Sequence, residues 1–160
     1  MTERRLVLLR HAKSAWPDGV PDFERPLNDR GRRDAPAAGR WLRENLPGLD
    51  LVLCSTAVRA RQTWDLVAGE LGHAPEVRHD DRLYAAATTT LLTVARELPG
   101  SARTVLIIAH NPGLEDLVSV LTNTDGQLKT SSIAVLTGSG DWSATAPGRA
   151  TLTAFTTPRG

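Results

Sequence analysis

The segment RRLVLLRHAKSAW, Arg4–Trp16, drives four consecutive apolar residues, Leu6, Val7, Leu8 and Leu9, straight into Arg10 and His11. A strand with one wet face alternates apolar and polar residues, whereas an unbroken apolar run signals a strand covered on both faces. Two further runs repeat the pattern: LDLVLCS, Leu49–Ser55, and TVLIIAH, Thr104–His110. Between them the period changes. Asn28 is placed to cap a helix over Asp29–Asn45, where Ala35, Ala38, Trp41, Leu42 and Leu46 recur at helical spacing. Pro36 is expected to bend or delay that helix, and Pro47-Gly48 to stop it. A second helix is expected over Ala57–Leu71, turning Val58, Ala60, Trp64, Val67 and Leu71 inward and ending at Gly72. Glu76–His79 reads as a short strand, Thr88–Leu98 as a helix stopped by Pro99-Gly100, and Gly113–Leu121 as a helix after Asn111-Pro112. Ser132–Leu136 and Ala150–Phe155 read as strands around the Gly-rich turn TGSGDW.

Strands alternating with helices predict an α/β fold: a three-layer α/β/α sandwich with a mostly parallel sheet and an antiparallel edge near the C-terminus. The chain of 160 residues contains no repeat, low-complexity tract or linker, so one domain over residues 1–160 is expected.

Charge excludes several function classes. The chain has 19 basic and 18 acidic residues and a net charge of +1, which gives no global pull toward nucleic acid or membrane. Any basic site must therefore be local. The single cysteine, Cys54, excludes an intrachain disulfide and a cysteine metal cage, and its apolar setting marks it as a small buried hydrophobe. Met1–Arg5 is polar and carries no signal-peptide core, and no segment reaches membrane-spanning length, so a cytoplasmic location is expected. The four histidines show no metal-site spacing, so neither a metal nor a cofactor is expected, and His73 and His79 read as surface residues.

In an open parallel α/β sheet, ligands bind beyond the carboxyl ends of the strands. After the first strand come Arg10 and His11; after the second, Ser55-Thr56 and then Arg59; after the third, His110 and Asn111-Pro112-Gly113. Two arginines and two histidines from three separate segments are thus expected at one place. Guanidinium forks match phosphate oxygens and stay charged at any working pH. A phosphoryl transition state spreads charge over its equatorial oxygens, so positioning and electrostatics dominate its catalysis. A neutral imidazole can attack phosphorus, and neighbouring arginines disfavour the imidazolium by like-charge repulsion. Taken singly, each residue has a plainer reading: Arg10 and His11 as a strand end in solvent, Arg59 as a solvated helix residue like Arg61, and His110 as a helix cap. Ser14 and Ser55 read as loop hydrogen-bonders, Trp41 and Trp64 as core, and Trp16 as a lip of the pocket.

These segments carry a family resemblance. LLRHAKS resembles the Arg-His-Gly motif of the histidine phosphatase superfamily, with Ala12 where Gly is usual. STAVRARQT, Ser55–Thr63, resembles its Ser-Pro-x-x-Arg-Ala-x-Gln-Thr segment, and IIAHNPG, Ile107–Gly113, its second-histidine segment. FERPLNDRG, Phe23–Gly31, and the closing SSIAVL and LTAFTTPRG look like the short SixA-type phosphohistidine phosphatase branch. By that resemblance His11 is the nucleophile, while Arg10, Arg59 and His110 bind and stabilise the phosphoryl oxygens. Arg25 matches a pocket arginine of the branch and is assigned phosphate binding, with a loop-shaping salt bridge to Asp22 or Asp29 as its alternative.

Two departures bear on the substrate. Larger mutase-like members carry an Asn six residues after the nucleophile, where this chain has Pro17, and a Glu proton donor after the third strand, where LYAAATTT holds no carboxylate. Asp80 and Asp81 precede that segment with no assigned place in the pocket. An alkyl phosphate has a poor leaving alkoxide and benefits from a general acid, whereas phosphohistidine leaves as an imidazole that carries its own proton. The expected function is therefore a metal-independent phosphatase working through a covalent phosphohistidine, acting on protein phosphohistidine. The alternatives are a small-metabolite phosphomonoesterase and a non-catalytic module that binds phosphorylated ligands. The short chain leaves no room for a long cap, so an open pocket is expected.

Overall fold

The computed structural model describes residues 3–160. Met1 and Thr2, the start of the polar N-terminal stretch, lie outside the described residues. The strands are β1 (Glu3–Arg10), β2 (Leu51–Ser55), β3 (Glu76–Asp80), β4 (Thr104–Ala109), β5 (Ile133–Ser139) and β6 (Thr151–Thr156). The α-helices are α1 (Asp29–Asn45), α2 (Val58–Ala68), α3 (Thr88–Arg96) and α4 (Gly113–Thr122). The strands form one sheet in the order β3-β2-β4-β1-β5-β6. The pairs β2–β3, β2–β4 and β1–β4 are parallel, whereas β1–β5 and β5–β6 are antiparallel. The expected sandwich with its C-terminal antiparallel edge is the observed fold.

The unbroken apolar runs are explained by how the pleat divides them. Successive side chains point to opposite faces. Val7, Leu9, Val52, Cys54, Leu106 and Ile108 enter one core with Ala38 and Leu42 of α1 and Trp64 and Val67 of α2. Leu6, Leu8, Leu51, Leu53, Val105 and Ile107 enter the other with Leu91 and Val94 of α3 and Leu114 and Leu117 of α4. The chain steps outward from β1 through β2 to β3 with α1 and α2 on one face. It returns through β4 to β5 with α3 and α4 on the other, which keeps the parallel crossovers in one hand. The edge strand β6 is wet on alternate residues, and the edge strand β3 buries none of its five.

Local chemistry sets the element ends. Asn28 caps α1, its side chain accepting from Gly31 N at 2.9 Å. Pro36 lies inside α1 but does not delay it, since the helix begins directly after the cap at Asp29. Helix α2 stops at Ala68, not at Leu71. Gly69 closes it, and Leu71 reaches the core from the turn that follows, where Gly72 takes φ of +79°. Similarly, α3 ends at Arg96 rather than Leu98. Gly31 is required by packing: a Cβ there would stand 2.1 Å from the Lys13 carbonyl oxygen, so the start of α1 presses against the backbone just past His11. The sheet thus delivers the ends of β1, β2 and β4 side by side, and α1 braces the loop that leaves β1.

Candidate active site

Beyond those strand ends lies a cavity of about 310 Å³ lined by Arg10, His11, Arg25, Arg59 and His110 together with Lys13, Ser14, Trp16, Asn111 and Thr130. All five residues singled out in the sequence meet there. His11, Arg25, Arg59 and His110 are each less than one-tenth exposed, so their polar ends are turned into the fold rather than into bulk solvent.

His11 Nδ1 stands 2.7 Å from the carbonyl oxygen of Ala12. A carbonyl only accepts, so the ring proton sits on Nδ1 and the lone pair sits on Nε2. The Nε–H of Arg59 points at that Nε2 from 3.4 Å. Burial pushes the His11 pKa down to about 3. The Ala12 hydrogen bond opposes this, and His110, Arg59 and Arg10 add to it as nearby charges. The sequence reading credited the arginines with keeping this imidazole neutral; desolvation is the larger cause, because the ring sits at the end of a fully covered strand. Ala12, in the place of the usual glycine, donates its N–H to Thr63 Oγ1 at 3.0 Å, and Thr63 donates to the carbonyl of Arg59 at 2.7 Å. One threonine therefore ties the nucleophile loop to the first turn of α2.

His110 is no helix cap. The start of α4 has no side-chain cap, and the His110 ring lies 2.7 Å through Nε2 from Ser55 Oγ. That oxygen also accepts from Ala57 N, and His110 Nδ1 is buried without a protein partner among the described residues. Burial, then Arg59, lowers the His110 pKa to about 4. The His11 and His110 ring centroids are 5.1 Å apart. At neutral pH the site thus holds two uncharged imidazoles, and that of His11 has a free lone pair on Nε2.

The arginines are fixed by oxygens. Arg10 donates to the Leu128 carbonyl at 3.0 Å and keeps a buried Nε without a partner. Arg59 donates to the Asp22 carbonyl at 2.6 Å and to its Oδ2 at 3.1 Å. Arg25 meets Asp22 Oδ1 at 3.0 Å and Ser14 Oγ at 2.8 Å, and its guanidinium lies 3.4 Å from the ring centre of Trp16. The loop-shaping bridge to Asp22 is present, and Arg25 also lines the cavity in which it is expected to bind phosphate. The Asp29 alternative is absent, since Asp29 faces Arg32. Trp16 forms the expected lip, 76% exposed.

Two residues of the site escaped the sequence reading of its chemistry. Asp22 joins Arg25, Arg59 and the Tyr84 hydroxyl, which donates to its Oδ2 at 2.5 Å. These bonds, Tyr84's first, lower its pKa to about 2. Tyr84 stacks edge-on against His110 and comes from the LYAAATTT segment in which no carboxylate was found. Asp80 and Asp81 are not on the cavity wall: Asp80 holds Arg82 and Asp81 accepts from Thr56. Of the other single residues, Trp41 is half-buried against the core rather than within it. Cys54 is buried, its thiol pushed up to about 12 by that burial. His73, His79 and Arg61 are exposed, and Trp64 is core. Among the described residues no helix is long and apolar enough to cross a membrane.

Comparison with known proteins decides the family. Residues 6–88 match the histidine phosphatase superfamily (branch 1). The uncharacterized protein Rv1276c of Mycobacterium tuberculosis is 42% identical over 162 aligned residues, covering 94% of this chain and all of that one. The chain belongs to the histidine phosphatase superfamily. Its fold also matches a protein assigned as the phosphohistidine phosphatase SixA of Nakamurella multipartitia, with TM-score 0.87 and 34% identity, over 99% of this chain and 98% of that one. The protein histidine phosphatase SixA complexed with tungstate matches with TM-score 0.78 and 25% identity, over 96% and 97%. The resemblance read from LLRHAKS, STAVRARQT and IIAHNPG therefore identifies the superfamily, and its SixA-type members are among the structural neighbours. Family and neighbours together support phosphatase activity.

Proposed function

We propose that this chain is a phosphohistidine phosphatase that passes the phosphoryl group through His11. The observation that carries the reading is the tautomer of His11: Nδ1–H is held by Ala12 O, so the Nε2 lone pair faces the Arg59 guanidinium across 3.4 Å. A phosphoryl group entering there meets a nucleophile on one side and guanidinium N–H groups on its equatorial oxygens. Nε2 attacks phosphorus and forms a P–N bond, while the bond to the substrate imidazole breaks and that imidazole leaves with a proton from solvent. Water then attacks the phosphorylated His11, orthophosphate departs, and Nε2 regains its lone pair. In this scheme Arg10, Arg25, Arg59 and His110 hold the oxygens, and no metal is needed to neutralise them.

The substrate assignment rests on the absence of a usable acid. Asp22 has its pKa lowered to about 2 and shares its oxygens among Tyr84, Arg59 and Arg25, so at neutral pH it has no proton to give a leaving alkoxide. An imidazole leaving group needs none from the enzyme. A protein-borne phosphohistidine also suits the shallow lip formed by exposed Trp16. A cytoplasmic setting belongs to the same proposal.

The test is chemical trapping. Incubation with a phosphoryl donor and a rapid quench is expected to leave acid-labile, base-stable phosphate on His11, absent from His11→Ala. No label would favour a non-catalytic binding module. A kcat/KM on phosphohistidine above that on a sugar phosphate is expected; an equal or reversed order would give the site to small phosphomonoesters.

A further inference from the structure

A second concavity of about 540 Å³ adjoins the catalytic cavity and is lined by Arg10, Lys13, Arg30, Lys129, Thr130 and Arg159. Arg10, Lys13 and Thr130 belong to both walls. Every ionisable side chain on the second wall is a cation, in a chain whose net charge is only +1. Such crowding of like charge does nothing for folding and creates a strong local field for anions.

The groove is built, not incidental. Asp34, fully buried beneath it, accepts from Arg30 Nε at 3.0 Å, Arg159 Nη1 at 2.8 Å and Gly160 N at 3.1 Å. Arg159 also donates to the Thr130 carbonyl at 3.1 Å. One buried carboxylate therefore fixes two guanidiniums drawn from opposite ends of the chain. Lys13 and Lys129 have no carboxylate partner among the described residues, and the buried Arg10 Nε, at the junction of the two cavities, has no partner at all.

We propose that this groove is a second anion subsite that reads acidic side chains flanking the phosphohistidine on the partner protein. The proposal rests on the phosphohistidine reading above and adds what selects the partner. The phosphoryl group itself occupies the His11 pocket, so an anion in the adjoining groove is another group on the same substrate. The groove has room for more than one carboxylate. Trp16, on the wall of the pocket, and Phe23 stand 76% and 37% exposed on the loop that carries Arg25. An apolar contact and a cationic groove together suit a protein surface better than a small metabolite.

The experiment compares two phosphohistidine peptides, one with Asp and Glu around the histidine and one with Asn and Gln, on wild type and on Lys129→Glu. The acidic peptide is expected to show at least tenfold higher kcat/KM in wild type, carried by KM. The ratio should collapse toward one in Lys129→Glu and shrink with added salt. A ratio near one in wild type, or a ratio that Lys129→Glu leaves unchanged, overturns the subsite. Should neither peptide turn over, the phosphohistidine reading itself fails. The groove is then decided by titrating tripolyphosphate against orthophosphate. At least tenfold tighter tripolyphosphate binding that Lys129→Glu abolishes keeps the anion subsite and replaces the protein partner with a polyanionic small substrate. Equal binding overturns both.

Discussion

Acidification from pH 7.5 to pH 5 should destabilise the fold by an amount set by two rings. His11 and His110 have folded-state pKa values lowered to about 3 and about 4, each chiefly by burial. A histidine free in the unfolded chain titrates near 6.5. At pH 5 the unfolded state therefore binds a proton at each position and the folded state does not. Stability rises with pH wherever the unfolded state holds more protons, so the contribution of each ring is fully present above 6.5 and is lost as pH falls toward the folded value. Over the stated interval each histidine accounts for about 2 kcal/mol, and the pair for about 4 kcal/mol. The figure depends little on the exact folded values, because both rings remain mostly neutral at pH 5. Carboxylates with lowered pKa, Asp22 and Asp34 among them, lose their contribution only below about 4, so the window isolates the histidines. A loss of about 4 kcal/mol is a large part of the 5–15 kcal/mol typical of a domain. Urea unfolding in phosphate-free buffer at both pH values measures it, with His11→Gln, His110→Gln and the double variant as controls. Each single variant should recover about half of the loss and the double variant nearly all. A wild-type loss under about 1 kcal/mol, or the same loss in the double variant, would refute the claim that these rings are buried uncharged.

Other perturbations test single contacts. Arg59→Lys removes the fork that meets both Asp22 and His11 and should lower kcat by about 10²- to 10³-fold on a phosphorylated substrate, read by steady-state kinetics. Ser55→Ala takes away the hydroxyl that fixes His110 and should cost about 1 kcal/mol of transition-state stabilisation, about fivefold in kcat/KM, read by steady-state kinetics. Gly31→Ala puts a methyl group 2.1 Å from the Lys13 carbonyl and should destabilise by more than about 2 kcal/mol in urea titration, since backbone on both sides must separate.

The strand-borne part of the site was legible in the sequence, and the loop-borne part was not. Arg10, His11 and His110 directly follow unbroken apolar runs, and a covered parallel strand fixes where its carboxyl end must be. Arg59 was legible because it falls in the first turn of the helix after β2. Asp22 and Tyr84 lie on connections whose paths depend on distant pairings, such as the Ser14–Leu27 bridge that closes the loop carrying Asp22. Nothing local in the sequence specifies that closure. Helix ends were misplaced for a related reason: Leu71 continues the apolar spacing of α2 and is buried, but a turn after Gly69 brings it there. Periodicity reports which residues face the core, not which backbone conformation presents them.

The charge distribution of the site explains why cations and a neutral nucleophile coexist. Arg10, Arg25 and Arg59 surround two imidazoles, and Asp22 is the one carboxylate bonded to this set. Placing guanidiniums beside His11 and His110 makes an imidazolium unfavourable at either ring, while burial alone already disfavours it. The same guanidiniums attract a phosphoryl group, so the field that keeps Nε2 unprotonated also draws the substrate to it. Asp22 limits that field in the empty pocket: it engages Arg59 through Nη1 and Nη2 but leaves the Nε–H turned toward His11. Three guanidiniums, the Lys13 ammonium and one carboxylate leave a net positive charge that a phosphoryl group, carrying about −1.5 to −2 near neutral pH, offsets. A second carboxylate in the site would weaken that attraction and would supply an acid that an imidazole leaving group does not require.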